Sequence, residues 1–333
     1  MAICFASMTQ AQLKINVQNG AKTAFYDDFE EAIQQAVSGD TIYLPGRVIP
    51  VSSQSVVINK KLAIIGAGWD TDSIGGLQTT EIKYGNNYAD INFQNGSDGS
   101  LITGCYVHDI NFGTNDAVLH NISNVTIWRN RIGQYITLGY NRPGNQVNQI
   151  FIFENLIYSD IISSYASDCI VNNNLCRSLI GLWNTRISNN VLRGFVQNLH
   201  ECVVENNYII SQSSSGNDLS GCSNSTFLNN AFQGTLTFPV RDNSGSNNLM
   251  GQAAANTFVL NDLIWPKNLE ILASSPCKNA GTDGTDIGIY GGPVPYKAGA
   301  VPFNPHIDEA LISSQTDSNG KLKVSITVTA QER

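Results

Sequence analysis

Three short stretches concentrate the residue types that can do chemistry: Tyr106-Val-His108-Asp109, Trp128-Arg129-Asn-Arg131 and Phe151-Ile-Phe153-Glu154. His108 and Glu154 could move protons, and Arg129 and Arg131 could neutralise an anion. These four are the candidate catalytic residues for acid–base cleavage of a polymer. The rings of Tyr106, Trp128, Phe151 and Phe153 could instead grip a sugar chain or an apolar patch on a protein. A purely structural reading competes with both. In it a loop or the C-terminal tail packs over the rings, and Asp109, Arg129 and Glu154 form a surface ion ladder that contributes little.

Other signals are thinner. Asp283 and Asp286, in Gly281-Thr-Asp-Gly-Thr-Asp286, could ligate calcium, although a turn closing a last coil accounts for them more simply. No other metal site or cofactor is indicated: His120, His200 and His306 are scattered, and none of the cysteines forms a CxxC pair. Gly66-Ala-Gly68 fails as a dinucleotide fingerprint because Thr71 stands where the third glycine belongs. The net charge of −8 argues against nucleic acid or anionic lipid as a partner, because both need a basic face. No apolar run reaches the length of a transmembrane segment. With 14% charged residues, 29 Gly and 38 Asn in 333 residues, the chain favours turns and local hydrogen bonds over helices.

A repeat positions the three stretches. The phrase apolar-x-apolar-x-x-Asn-x-apolar recurs with anchors at 130, 155, 174, 190, 207 and 230, and an earlier copy, Cys105-Tyr-Val-His-Asp-Ile110-Asn-Phe112, puts Ile110 at the anchor. The anchors are 16 to 25 residues apart. Residues three before and two after the anchor are apolar throughout, which predicts strands with one face buried and a bend between them. Asn suits the bend: it tolerates the left-handed region and can stack its amide on the Asn of the next coil, about 4.8 Å away. A unit of strand, bend and strand repeated at this length predicts a parallel β-solenoid. Cys105, Cys169 and Cys202 are expected in one inward column as unpaired core thiols.

Residues 27–37 carry Phe29, Ile33, Ala36 and Val37 on one helical stripe, with Asp27 or Asp28 available as N-cap, and predict a cap helix. With the phrases Gly39-Asp-Thr-Ile-Tyr43, Leu62-Ala-Ile-Ile-Gly-Ala-Gly68 and Ser275-Pro-Cys-Lys-Asn-Ala-Gly281, the chain resembles the secreted right-handed parallel β-helix (pectin-lyase-like) superfamily, particularly Bacteroidetes surface proteins. The resemblance covers residues 20–295 and implies an all-β, right-handed fold. Its active members cut acidic polysaccharides by elimination or hydrolysis. However, the polygalacturonase segments are missing, and no Asp-rich cluster suggests a pectate-lyase calcium site. The short coils also leave little chain for cleft walls.

Residues 1–11 resemble the end of a signal peptide without its basic region, residues 12–292 form the β-helix domain, and residues 293–333 leave the repeat. Pro293, Pro295, Pro302 and Pro305 mark an extended arm ending in a strand with Leu322, Val324, Ile326 and Val328 on one face and no hairpin partner nearby. That strand either folds back on the solenoid or is donated to another protein. The expectation is a secreted, periplasmic or cell-surface protein that acts as a non-catalytic binding or structural component, with a protein or glycan partner. The alternative is a polysaccharide lyase or glycoside hydrolase.

Overall fold

The structure, a computed structural model, describes residues 14–70, 79–113, 118–139, 144–164, 166–210, 219–260, 263, 269–297, 306–316 and 318–329. The leader-like residues 1–11 lie outside the described residues.

Alternating apolar residues build three long sheets, all but a few of their pairings parallel. The first has twelve strands, and its central members are Leu101–Thr103, Thr126–Trp128, Phe151–Phe153, Ile170–Asn172, Arg186–Ser188, Val203–Glu205 and Thr226–Leu228. In each coil the chain turns into a short strand of the second sheet, such as Arg131–Ile132 or Leu156–Ile157. In most coils it then enters the third, as at Ile136–Leu138 and Ile161–Ser163. This is an all-β, helix-poor, solenoid-like fold. Ile102, Ile127, Ile152, Val171, Ile187, Val204 and Phe227 face inward in register with no exposed surface. The second sheet contributes Val107, Ile132, Ile157, Cys176, Leu192, Ile209 and Phe232 to the same core.

The anchor asparagines form a continuous ladder. Asn130, Asn155, Asn174, Asn190, Asn207 and Asn230 each donate from Nδ2 to Oδ1 of the anchor in the next coil, at 2.9–3.2 Å. Each also donates its backbone N–H to that same oxygen, at 2.9–3.0 Å. The second amide hydrogen goes to backbone carbonyls, so these buried amides are satisfied, as burial requires. The left-handed residue is the one before the anchor: Arg129, Glu154, Asn173, Asn189, Asn206 and Asn229 have φ between 49° and 57°. Asn therefore works at the anchor through its amide, and the bend is made one position earlier.

Two repeat positions differ from the sequence pattern. The pattern puts an anchor at Ile110, but Leu101–Thr103 pairs with Thr126–Trp128, which aligns Cys105 with Asn130. Cys105 N donates to Asn130 Oδ1 at 3.1 Å, and Gly104 takes the left-handed position with φ 70°. The spacing Cys105, Val107, Ile110, Phe112 mimics the phrase while running from the second sheet into the third. Cys105 is consequently not in the column of Cys169 and Cys202, although the six described cysteines are all buried and free. The ladder also gains a last member, Asn248, which accepts from Asn230. Its coil is hidden in the sequence because Gly245 occupies the inward position. The ring of Phe238 takes that space: a Cβ on Gly245 would stand 2.5 Å from it.

A helix runs from Phe29 to Gln35, with Asp28 Oδ1 accepting from Glu31 N. It buries Phe29, Ala32 and Ile33 in the core beside the antiparallel strands Ile15–Asn19 and Lys22–Tyr26 at one edge of the first sheet. At the other end of the chain, Leu322–Thr329 does have a hairpin partner: it pairs antiparallel with His306–Thr316 across a short turn. The partner is hidden in the sequence because its strand is irregular, bulged at Ile307/Glu309, which breaks the alternation. None of the described helices is long and apolar enough to cross a membrane.

Candidate binding groove

The outer face of the first sheet displays the side chains two and four positions before each anchor. In consecutive coils these are Thr126 and Trp128, Phe151 and Phe153, Ile170 and Asn172, then Arg186 and Ser188. Phe151 and Phe153 stack with ring centroids 6.1 Å apart, and Trp128 is in register beside Phe153. Tyr106 and His108, which the shifted pattern aligned with these rings, lie elsewhere: Tyr106 is on the second sheet, stacked on Tyr88 at 3.6 Å.

One wall of a groove along this face is the chain's own C-terminal segment. Val294 and the ring pair Trp128–Phe153 enclose a cavity of about 80 Å³ with Asn172 and Asn173. A second cavity of about 170 Å³, which shares Asn172 with the first, lies between Arg186, Ser188 and Glu205 on the sheet and Thr282, Asp283 and Pro293 opposite. Asparagines at the left-handed positions hold this wall. Asn173 Nδ2 donates to the carbonyls of Ile289 and Gly291 at 2.7 and 2.9 Å. Asn206 exchanges hydrogen bonds with Thr282, and Asn229 Nδ2 donates to Ala280 O. Beneath it lies a second apolar core. Leu156, Leu175, Val191, Tyr208 and Ala231, each one residue after an anchor, pack with Phe258, Leu269, Ile271, Cys277, Ile287, Ile289 and Tyr296. The sequence carried this signal unread, since an apolar residue directly after Asn in five successive coils makes those strands apolar on both faces.

The candidate catalytic residues do not converge. Arg129 Nε and Glu154 Oε2 pair at 3.0 Å with their side chains 1% and 0% exposed. Glu154 Oε1 accepts from the Trp128 indole at 2.9 Å, and Oε2 also accepts from the backbone N–H of Lys297 at 3.1 Å. Burial, with Glu154 among the neighbouring charges, pushes the adjacent Tyr296 phenol well up, so it stays neutral beside the pair. The anticipated surface ladder is thus a covered ion pair that fixes the indole and the C-terminal wall. Arg131 lies on the second sheet between the rings of Tyr106 and Tyr158, 4.3 and 5.1 Å from their centroids, and donates to the Tyr158 hydroxyl at 2.7 Å. His108 is in a different turn, beside Asp90 and Asp109. Arg186 is paired with Glu205 at 2.5 Å across adjacent coils.

The two calcium candidates serve the closing turn. Asp283 Oδ1 accepts from the N–H and hydroxyl of Thr285, which hold its carboxyl below the usual range despite some burial. Asp286 accepts from Lys278 Nζ and Asn279 N. The proposed partner strand presents Leu322, Val324 and Ile326 about half exposed; the side chain of Val328 lies outside the described residues.

Fold and site together define a solenoid-like all-β protein with a ring-lined, hydrogen-bonding groove. A scan against protein-family models finds no match, and a search of curated proteins finds no relative.

Proposed function

We propose that the chain is a right-handed parallel β-helix of the pectin-lyase-like type, secreted or held at the cell surface, that binds a glycan without cleaving it. The observation that carries this reading is the pair Trp128 and Phe153, with Phe151 stacked on Phe153, beside cavities lined by Asn172, Ser188 and Arg186 on the same sheet face. Coils about 4.8 Å apart set flat rings and then amide and hydroxyl groups along one line, a pattern suited to an extended sugar chain. The polymer is neutral in this reading, because Arg186 is engaged by Glu205 and the opposite wall adds Asp283. An acidic chain would have to approach a protein of net charge −8.

Two features support binding over cleavage. Arg129 and Glu154, the ionisable groups nearest the rings, are spent on each other and on holding the indole and Lys297. His108 and Arg131 lie on other faces. The helix Phe29–Gln35 acts in this reading as the lid of the first coil, and the C-terminal hairpin, with Leu322, Val324 and Ile326 exposed, is the element that joins a protein partner. The test is affinity electrophoresis of the full chain in gels containing neutral or uronate polysaccharides. Retardation by a neutral polymer, abolished in Trp128→Ala/Phe153→Ala, is the expected result; no retardation, or retardation unchanged in the variant, would refute the groove.

A further inference from the structure

We propose a divalent transition-metal site, of the zinc class, formed by Asp90, His108 and Asp109 where the chain turns from the second sheet into the third. Among the described residues this is the one set of three His, Cys, Asp or Glu side chains whose ligand atoms all lie within 4.8 Å of one another. His108 Nδ1 stands 2.9 Å from Asp90 Oδ1 and 3.6 Å from Asp109 Oδ2. In a tetrahedral centre with bonds of roughly 2.0–2.2 Å, neighbouring ligand atoms are about 3.3–3.5 Å apart, so a small swing of Asp90 would seat the ion. An imidazole nitrogen with two carboxylates suits zinc and its late first-row neighbours, whereas calcium prefers an all-oxygen shell.

The charge arrangement supplies a second, independent reason. Ile91 pairs with Ile110, so Asp90 and Asp109, the residues just before them, are stacked in one column of adjacent coils. Asp160 lies in that column two coils on, and there the acid is paired with Arg177. Asp90 and Asp109 have no such guanidinium: no described Lys or Arg pairs with either, and the imidazole is the one basic group between them. Their other contacts orient rather than neutralise. Asp109 Oδ1 accepts from Tyr135 N at 2.7 Å, which leaves Oδ2 toward the imidazole. Gln54 Nε2 donates to Tyr88 O and reaches Asp90 Oδ1 at 3.5 Å. Outer contacts that fix a carboxylate in this way are typical around metal ligands. The three side chains are partly exposed, which leaves the ion a path in and a position for solvent.

The test is calorimetric titration of zinc chloride into the untagged, chelator-stripped full chain, with cobalt(II) absorption as a second readout of a nitrogen–oxygen tetrahedral centre. One equivalent should bind, and affinity should fall at least about 100-fold in both His108→Ala and Asp109→Asn. The pair Asp283→Asn/Asp286→Asn should bind as the parent does. Circular dichroism and melting of each metal-free variant establish that it is folded, and Asp109→Asn keeps the shape of the site if His108→Ala does not fold. Absence of binding at micromolar zinc, or equal binding in the folded variants, would overturn the site. So would an imidazole proton titration of His108 that is indifferent to zinc, since the carboxylates would then be served by imidazolium alone.

Discussion

Asn174 accepts two hydrogen bonds from Asn155 and donates to Asn190 Oδ1 and to the carbonyls of Ile152 and Asn172. Asn174→Ala strands several of these buried groups at once, and a net loss of at least about 1–3 kcal/mol is expected from the denaturant midpoint. Glu154→Gln is a sharper case, because it keeps the shape while leaving the guanidinium of Arg129 buried without its charge partner. Breaking one side of such a pair costs about 3–5 kcal/mol, and it should also loosen Lys297 from the groove. The thiols set a pH limit. Burial pushes Cys105 and Cys169 from 9.0 up to about 12, and Cys202 and Cys222 up to about 11. Above pH 9 the unfolded chain releases these protons while the folded one retains them, so stability should be insensitive to the thiols below that pH and fall as pH rises from 9 toward 11–12. Chemical denaturation across that range checks the sign, and the six described thiols should react with a disulfide reagent only after unfolding.

The segment from Cys277 to Tyr296 is mostly irregular, yet it behaves as a packed layer because the second sheet is apolar on both faces. Ile289→Ala should therefore cost about 2–5 kcal/mol in thermal or denaturant unfolding, like any core truncation; a surface-like loss below about 0.5 kcal/mol would mean the layer is not docked. The coils themselves were legible in the residues. Inward columns three before and two after Asn follow from period; the helix expected over 27–37 with Asp27 or Asp28 as N-cap spans Phe29–Gln35, is capped by Asp28 and leaves Val37 exposed. Register was not legible where chemistry substituted for pattern. Cys105 heads the ladder with only its backbone N–H, and Phe238 from outside the phrase fills the place of Gly245. The hairpin partner of Leu322–Thr329 was hidden for a related reason, since bulges in His306–Thr316 erase the two-residue period.

For the molecule as a whole, the shortage of charge and the abundance of Asn have one origin. Asparagines supply the inner ladder, and many of the left-handed residues that grip the C-terminal layer are asparagines too. Of the site, the rings of Trp128, Phe151 and Phe153 could be picked out from their column, but not the groove. Its second wall comes from residues 282–294, which are 76 or more positions away in sequence, and no local pattern reports such a contact. Nor could the sequence reveal that Arg129 and Glu154, at left-handed positions, are covered by the Trp128 indole and the segment at Lys297 instead of facing solvent. The most direct measurement is incubation of the full chain with the neutral polysaccharide it retains, following bound fraction and polymer length together. Binding that weakens at least about 10-fold in Trp128→Ala/Phe153→Ala, with polymer length unchanged, is the expected result. Shortening of the polymer, or binding that ignores the loss of both rings, would contradict a non-catalytic glycan groove.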